Sequence, residues 1–191
     1  MVSSSAKLDY QMGYLVVRKD TTTKIHLGEI RTLLIESTAV SLTAALLSEL
    51  VKKKVKVIFC DEKRNPSAEM MPYYGSHDCS LKIKRQTAWS DDIKGAVWTE
   101  IVFEKIRQQK CLLQELGKNE AMLLQEYLGE IEYGDVTNRE GHAAKVYFNA
   151  LFGKSFTRTD DLLINAALNY GYSILLSAFN REIVLNGYLT Q

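Results

Sequence analysis

Proline is scarce in this chain, and the position of the two prolines is informative. Among 191 residues, Pro66 and Pro72 both lie within residues 61–80, where glycine, asparagine and small polar residues also concentrate. Because such residues interrupt helices and strands, the segment is typical of a linker or a loop-rich boundary. We therefore expect the architecture of the chain to change near this segment.

Cysteine is also scarce, and long apolar runs are missing. Cys60, Cys79 and Cys111 are far apart and odd in number. This spacing matches neither a disulfide framework nor a cysteine-based metal site, so we expect reduced thiols that pack in the fold. No apolar run reaches the length of a membrane-spanning helix, and the first residues lack the pattern of a signal peptide. The sequence therefore predicts an intracellular protein.

An excess of one charge is absent as well. Lysine and arginine number 24 and aspartate and glutamate 23, for a formal net charge of +1. A chain-wide attraction to nucleic acid is therefore excluded, and any nucleic-acid site has to be a local patch. With 46% hydrophobic and 25% charged residues, the composition is typical of a globular protein with an apolar core.

The first third of the chain has the pattern of a small unit of strands and one helix. Apolar residues that alternate or run continuously predict four strands, at residues 13–17, 24–28, 32–35 and 55–60. A helical pattern separates the last two strands, with Thr38 or Ser41 as its cap. Residues 72–75 fit a short strand or a turn, and no convincing strand is predicted after them. Residues 81–86 fit either a short edge strand with outward charges or the entry to the next helix.

From residue 91 onward the pattern is helical. Ser90 and Asp91 can cap a long helix that ends near Leu116, and Asn119 can cap the next one. An acid at residue 160 or 161 can cap a further helix to about Phe179. We therefore predict an α+β fold, with a small β-rich N-terminal domain at residues 1–75, a linker at 76–90 and an all-helical C-terminal domain at 91–191.

Residues 137–153 form a helical segment with an acid at the edge of its apolar face. Helical spacing places Glu140 above six residues of that face: Ala143, Ala144, Tyr147, Phe148, Leu151 and Phe152. Two hypotheses explain this acid. It can complete a capping box with Thr137, or it can hold a cation in a cleft. His142 falls on a different helix face, so it does not form a chelate with Glu140.

Charges are segregated along the helical domain. Acids dominate residues 115–135, a hairpin that we expect to face away from any DNA site. Cations surround Glu140 and also precede the domain, so they are the candidates for a local patch that contacts a DNA backbone, and we expect some of them merely to be solvated. These candidate DNA-binding residues are Arg139, Lys145, Lys154, Arg158, Lys84 and Arg85.

A polar stripe follows on the next helical segment. Asn165, Asn169 and Tyr172 are spaced by four and three residues on an otherwise apolar helix. Two interpretations remain open for this stripe. Its side chains can hydrogen-bond to a neighbouring helix, or they can form the wall of a polar cleft.

Three segments together resemble a known family, the CRISPR-associated endonuclease and integrase Cas1. Residues 139–148, Arg-Glu-Gly-His-Ala-Ala-Lys-Val-Tyr-Phe, are similar to its E-G-x-A-A-x-x-Y-F motif. Residues 161–172 resemble the helix of the family that ends in Tyr-Gly-Tyr. Pro72-Tyr-Tyr-Gly75, with Ser80 and Arg85-Gln86, resembles its linker. The sequences of the N-terminal part and of the linker are most similar to the type II-A branch.

The resemblance implies a function and partners. Members of the family form a homodimer through the N-terminal β-rich domain, and two homodimers flank a dimer of the small partner Cas2 in a heterohexamer. In the prokaryotic cytoplasm this complex inserts a short double-stranded DNA, the prespacer, into a CRISPR repeat through attack of its 3′ hydroxyls on phosphodiesters. The product is a record used in antiviral defence.

The resemblance also implies a metal site. The active site of the family holds Mg²⁺ or Mn²⁺ through a glutamate, a histidine and a further acid, and Glu140 occupies the position of the glutamate. We therefore expect Glu140 to be a catalytic residue and a metal ligand, and the helical domain to be the catalytic one. Oxygen and imidazole ligands suit both ions.

The chain differs from the family pattern in its remaining ligands. The histidine and second acid of the family follow a segment that resembles Asn186-Gly-Tyr-Leu189, close to the last residue given. None of the histidines, His26, His77 and His142, matches the ligand position. We therefore expect a fragment truncated at both ends and inactive alone. The alternatives are a non-catalytic DNA-binding or assembly scaffold, and a helical interaction domain in which Glu140 only caps a helix.

Overall fold

The computed structural model describes residues 1–72 and 78–190, which form two compact units. The first unit contains Met1–Ile83 together with the segment from Ala166 onward, and the second contains Lys84–Asn165. Tyr73, Tyr74, Gly75 and His77 of the expected linker lie outside the described residues.

The first unit contains two β-sheets. Its strands are β1 (Ala6–Gln11), β2 (Tyr14–Arg18), β3 (Thr22–His26), β4 (Thr32–Ile35), β5 (Val40–Leu42), β6 (Lys56–Cys60) and β7 (Pro66–Glu69). The strand order is β3-β2-β1-β5 in one sheet and β4-β6-β7 in the other. β1 pairs antiparallel to β2 and parallel to β5, whereas β6 pairs parallel to β4 and antiparallel to β7.

The core of this unit lies between its sheets and the helix α1 (Ala44–Lys52). Leu46 and Leu50 of α1 are completely buried, as is Leu8 of β1. The cap of α1 is Thr43, whose hydroxyl accepts a hydrogen bond from the Leu46 amide at 3.3 Å. The predicted caps Thr38 and Ser41 are therefore wrong, and Ser41 lies in β5.

Three strands were not expected, β1, β5 and β7. The polar residues Lys7, Asp9 and Gln11 alternate with Ala6, Leu8 and Tyr10 in β1. This mixed pattern hides the strand in a search for apolar runs. β7 begins at Pro66, in the segment predicted to be a loop. Proline is compatible with a strand at its first residue or at a sheet edge, and β7 is an edge strand.

The last helix explains why the units divide differently from the expected domains. The helix α2 (Cys79–Thr87) replaces the predicted strand or helix entry, and α6 (Leu163–Leu185) continues beyond the expected end at Phe179. The Ser177 hydroxyl of α6 donates to Glu69 Oε2 at 2.5 Å, and the Arg181 guanidinium donates to the Lys54 carbonyl. Because these bonds connect α6 to β7 and to the turn that follows α1, most of α6 belongs with the sheets.

The second unit is helical. It contains α3 (Asp91–Glu115), α4 (Ala121–Gly129) and α5 (Arg139–Phe152). Their core is formed by completely buried side chains, Val102, Ile106 and Leu113 of α3, Leu124 of α4 and Ala143 of α5. The predicted cap Ser90 is confirmed, since its hydroxyl accepts from the Ile93 amide at 3.4 Å. The predicted cap Asn119 is wrong, because Glu120 occupies the cap position of α4.

The α+β fold class is confirmed, with the β-rich region first and the helices after it. Within the described ranges, no helix combines the length and the apolar character that a membrane crossing requires.

We expect the Cys60 thiol to react slowly with alkylating reagents. Cys60 is buried in β6, and burial raises the pKa of its thiol. Because the thiolate is the reactive form, iodoacetamide at pH 8 should modify Cys60 roughly ten times more slowly than the half-buried Cys111. Mass spectrometry of peptides from the native protein measures both rates, and urea should remove the difference. Equal rates in the native protein would contradict the prediction.

Candidate active site

The first turn of α5 positions the Glu140 side chain. Asn138 is the cap residue, with φ of 54°, and its side chain accepts a hydrogen bond from the Gly141 amide at 3.3 Å. The buried carboxylate of Asp135 accepts from the Arg139 amide at 2.7 Å and from the Glu140 amide at 3.1 Å. These two side chains therefore satisfy three amide groups that every helix start leaves without an intrahelical partner.

The predicted capping box of Thr137 and Glu140 is wrong. The Thr137 hydroxyl is buried and has no hydrogen-bond partner within the described part of the chain. Asp135 and Asn138 supply the cap instead. Both residues adopt positive φ, a conformation that aspartate and asparagine tolerate better than most residues. Glu140 is thus not needed to start the helix, and the hypothesis that it is only a cap fails.

The Glu140 carboxylate contacts a cation. The Lys105 ammonium of α3 donates a hydrogen bond to Glu140 Oε1, and the two side chains are 46% and 27% exposed. Ala143 lies one turn after Glu140 and is completely buried in the same cluster as Val102 and Ile106. A small residue at this place lets α3 and α5 approach closely, which holds the Glu140 carboxylate within reach of Lys105.

Arg139 is engaged in the helical unit. Its Nη2 lies 3.1 Å from Glu130 Oε2, and its guanidinium carbon lies 5.3 Å from the centre of the Tyr127 ring. The side chain is 25% exposed. These contacts attach the start of α5 to α4. They leave only a small part of the guanidinium accessible to a DNA phosphate.

The other candidate cations differ in exposure. Arg158 donates through Nη1 to Asn165 Oδ1 at 2.7 Å, and its guanidinium carbon lies 5.4 Å from the Phe148 ring centre. Lys145 and Lys154 are exposed, as are Lys84 and Arg85 in the last turn of α2. The exposed cations are compatible with a phosphate contact, whose assignment stays a prediction.

The polar stripe on α6 has a structural role at its first position. Asn165 is 3% exposed. Its Nδ2 group donates to the carbonyls of Thr157 and Asp160, both at 2.8 Å, while its Oδ1 accepts from Arg158. The hydrogen bonds therefore join α6 to the preceding loop and not to a neighbouring helix.

Lys105 and Asp135 are the residues of this site that the sequence did not reveal. Asp135 stands in an acidic segment and gives no sign of its cap role, apart from the neighbouring Gly134, which also has positive φ. Lys105 is 35 residues from Glu140 in sequence. Only the packing of α3 on α5 shows that these two side chains meet.

The residues described fit a divalent cation in part. A half-buried carboxylate that already contacts a cation has the donor chemistry for one ligand of Mg²⁺ or Mn²⁺. Within residues 1–72 and 78–190, no group of three or more His, Cys, Asp and Glu side chains could hold a metal ion. His142 is exposed, and its ring lies 6.3 Å from that of Tyr127.

Comparison with known proteins identifies the family of this chain. Residues 1–188 match the family model of CRISPR associated protein Cas1. The CRISPR-associated endonuclease Cas1 of Neisseria meningitidis serogroup C is 35% identical over 191 residues, which cover 99% of this chain and 63% of that protein.

Two solved structures share the fold. A Cas1 protein from Thermotoga maritima has a TM-score of 0.78 at 17% identity, over 97% of this chain and 64% of that one. A casposase bound to an integration product has a TM-score of 0.68 at 18% identity, over 96% of this chain and 60% of that one. The chain thus spans somewhat less than two thirds of each of these three proteins. Since the family model covers both units, including the α5 turn that holds Glu140, the chain belongs to the CRISPR-associated Cas1 family.

Proposed function

We propose that the protein, at its full encoded length, is a metal-dependent DNA endonuclease and integrase subunit that inserts short DNA segments into a CRISPR array. The main support for the proposal is the position of the Glu140 carboxylate. It stands in the position of the family motif, it is not used to cap its helix, and it faces a cation. Membership of the Cas1 family supports the class of reaction.

In the proposed mechanism Glu140 would be the ligand for Mg²⁺ or Mn²⁺ that the described residues provide. When bound, such an ion polarises a phosphate and stabilises the leaving oxygen. Asp135 and Asn138 fix the helix turn from which the carboxylate projects. The exposed ammonium groups of Lys145 and Lys154 can hold the DNA backbone through a salt-dependent attraction.

The proposed partners are double-stranded DNA, a second copy of the protein and Cas2. A prespacer and a CRISPR repeat are the DNA substrates that the family resemblance implies. The N-terminal sheets are the element proposed for the homodimer, and two homodimers with a Cas2 dimer would form the heterohexamer. Size-exclusion chromatography with light scattering, with and without Cas2, tests these assemblies.

We expect Glu140→Ala to abolish insertion by the protein at its full encoded length. Loss of residues that merely support a metal ligand costs 10–100-fold in activity or metal affinity, so loss of a ligand should cost at least about 100-fold. The assay incubates a labelled short duplex with a repeat-containing plasmid and Mn²⁺, and follows joining of 3′ ends. Glu126→Gln, an exposed acid of α4, is the control and should retain activity. Insertion by Glu140→Ala at the wild-type rate would refute the assignment.

A non-catalytic DNA-binding or assembly scaffold is the second candidate function. It is favoured because the described residues provide one candidate metal ligand and no group of three that could hold an ion. The same assay separates the two candidates. A scaffold should bind DNA without Mn²⁺-dependent joining of 3′ ends, and its DNA affinity should not change in Glu140→Ala.

A further inference from the structure

The pair formed by Lys105 and Glu140 differs from the ordinary ion pairs on the surface of α3. Lys94 pairs with Asp91, and Arg107 pairs with Glu104, in both cases three residues apart on the same helix. The Lys105 pair instead joins α3 to α5. Its geometry therefore depends on how the two helices pack and not on local helix spacing.

The packing beneath the pair restricts the place of the ammonium group. Lys105 directly precedes Ile106 and follows Val102 by three residues, and both neighbours are completely buried against the core that contains Ala143. On α5, Glu140 precedes Ala143 by three residues. Both charged side chains therefore emerge at the edge of one buried contact. Their distance from each other is limited by two packed backbones.

We propose that the Lys105 ammonium competes with a divalent cation for the Glu140 carboxylate and thereby lowers the metal affinity of the site. The proposal rests on the proposed function, because it takes Glu140 as a metal ligand. A carboxylate oxygen in contact with an ammonium has to exchange that contact for the metal ion. The displaced ammonium remains on α3 beside the ion, and the repulsion between the two cations opposes metal binding.

Lys105 is thus a positioning residue with two consequences. Without metal it neutralises Glu140 and keeps the carboxylate turned toward α3. With metal it weakens binding, so that the ion has to be recruited with other ligands or with a DNA phosphate. Removal of the ammonium should leave an uncompensated carboxylate that binds the ion more tightly.

The test measures Mn²⁺ affinity without DNA, on the protein at its full encoded length. Electron paramagnetic resonance of unbound Mn²⁺ during titration gives the dissociation constant independently of catalysis. We expect Lys105→Met to tighten Mn²⁺ binding by about 3–10-fold, as expected for a cation removed from a partly exposed site. Lys105→Arg keeps the charge and should stay close to wild type.

Two controls make the test specific. Lys110→Met removes a lysine of the same helix that pairs with the amide of Gln125 at 2.9 Å, and it should leave Mn²⁺ affinity unchanged. In the Glu140→Gln background, Lys105→Met should have no effect, because the carboxylate for which it competes is gone. Circular dichroism verifies that each variant is folded.

The outcomes separate this inference from the proposed function. Unchanged or weaker Mn²⁺ binding by Lys105→Met overturns the inference, and so does an increase that persists in the Glu140→Gln background or that Lys105→Arg shares. If Glu140→Gln alone leaves Mn²⁺ affinity unchanged, the assignment of Glu140 as a ligand fails, and the proposed function fails with it. If Glu140→Gln weakens binding and Lys105→Met does not change it, only the role of Lys105 is wrong.

Discussion

Replacing Asp135 with alanine should destabilise the helical unit at residues 84–165 by about 2–4 kcal/mol. Asp135 is 8% exposed, and each of its carboxylate oxygens accepts one hydrogen bond, from the amides of Arg139 and Glu140. Alanine leaves both part-buried donors without a partner. It also removes a negative charge from the start of α5, where the helix dipole favours one.

Two further substitutions at residue 135 separate the hydrogen bonds from the backbone conformation. Asp135 has φ of 50°. Asparagine tolerates this conformation but has one acceptor oxygen instead of two, and its NH2 group would face a backbone N–H, so Asp135→Asn should lose at least about half as much stability. Asp135→Gly removes the conformational strain but also both hydrogen bonds, and it should lie between wild type and Asp135→Ala.

Hydrogen exchange at the first turn of α5 measures this effect within the helical unit. Exchange of the Arg139 and Glu140 amides should accelerate most in Asp135→Ala, and urea unfolding gives the change in the free energy of unfolding. An alanine variant as stable as wild type would show that water replaces the carboxylate. A glycine variant more stable than wild type would show that backbone strain outweighs the cap.

Elements with a strong local signal were predicted well. α3 was expected from Asp91 to about Leu116 and extends from Asp91 to Glu115. Its Ser90 cap and its apolar periodicity are local features, so both can be recognised directly in the sequence. α5 was expected over residues 137–153 and extends from Arg139 to Phe152, for the same reason.

Elements that depend on the rest of the fold were missed. β1 exists because β2 and β5 pair with it on both sides, although its own pattern is mixed. The assignment of α6 to the sheets depends on bonds such as Ser177 to Glu69, over 108 residues of sequence. Periodicity within one segment contains no information about such pairs.

In the candidate site, too, the local features were predicted and the long-range contacts were missed. Glu140 was identified from its motif and from its place on an apolar helix face, both local features. Its cap was assigned to Thr137 because a capping box is read from spacing alone, whereas positive φ at Gly134, Asp135 and Asn138 changes which residues face the helix start. Lys105 was not predicted, since only the contact between α3 and α5 brings it to Glu140.

We expect Asn165→Asp to destabilise the helical unit by about 2–4 kcal/mol, although the two side chains have nearly the same shape. The Nδ2 group donates to two carbonyls, of Thr157 and Asp160, and the residue is 3% exposed. A carboxylate cannot donate to them, and it would place a buried negative charge against two carbonyl oxygens.

The Arg158 side chain decides how large this loss becomes. Its Nη1 already donates to the oxygen of Asn165, so it would pair with the new carboxylate and offset part of the cost. That compensation acts on one oxygen only, and the repulsion at the other oxygen remains. Hydrogen exchange should therefore accelerate over the loop at residues 153–162, while Asn119→Asp, an exposed substitution in the same unit, should leave it unchanged. Wild-type exchange in Asn165→Asp would mean that the arginine pair compensates fully, and the loop would then depend on Arg158 more than on the amide.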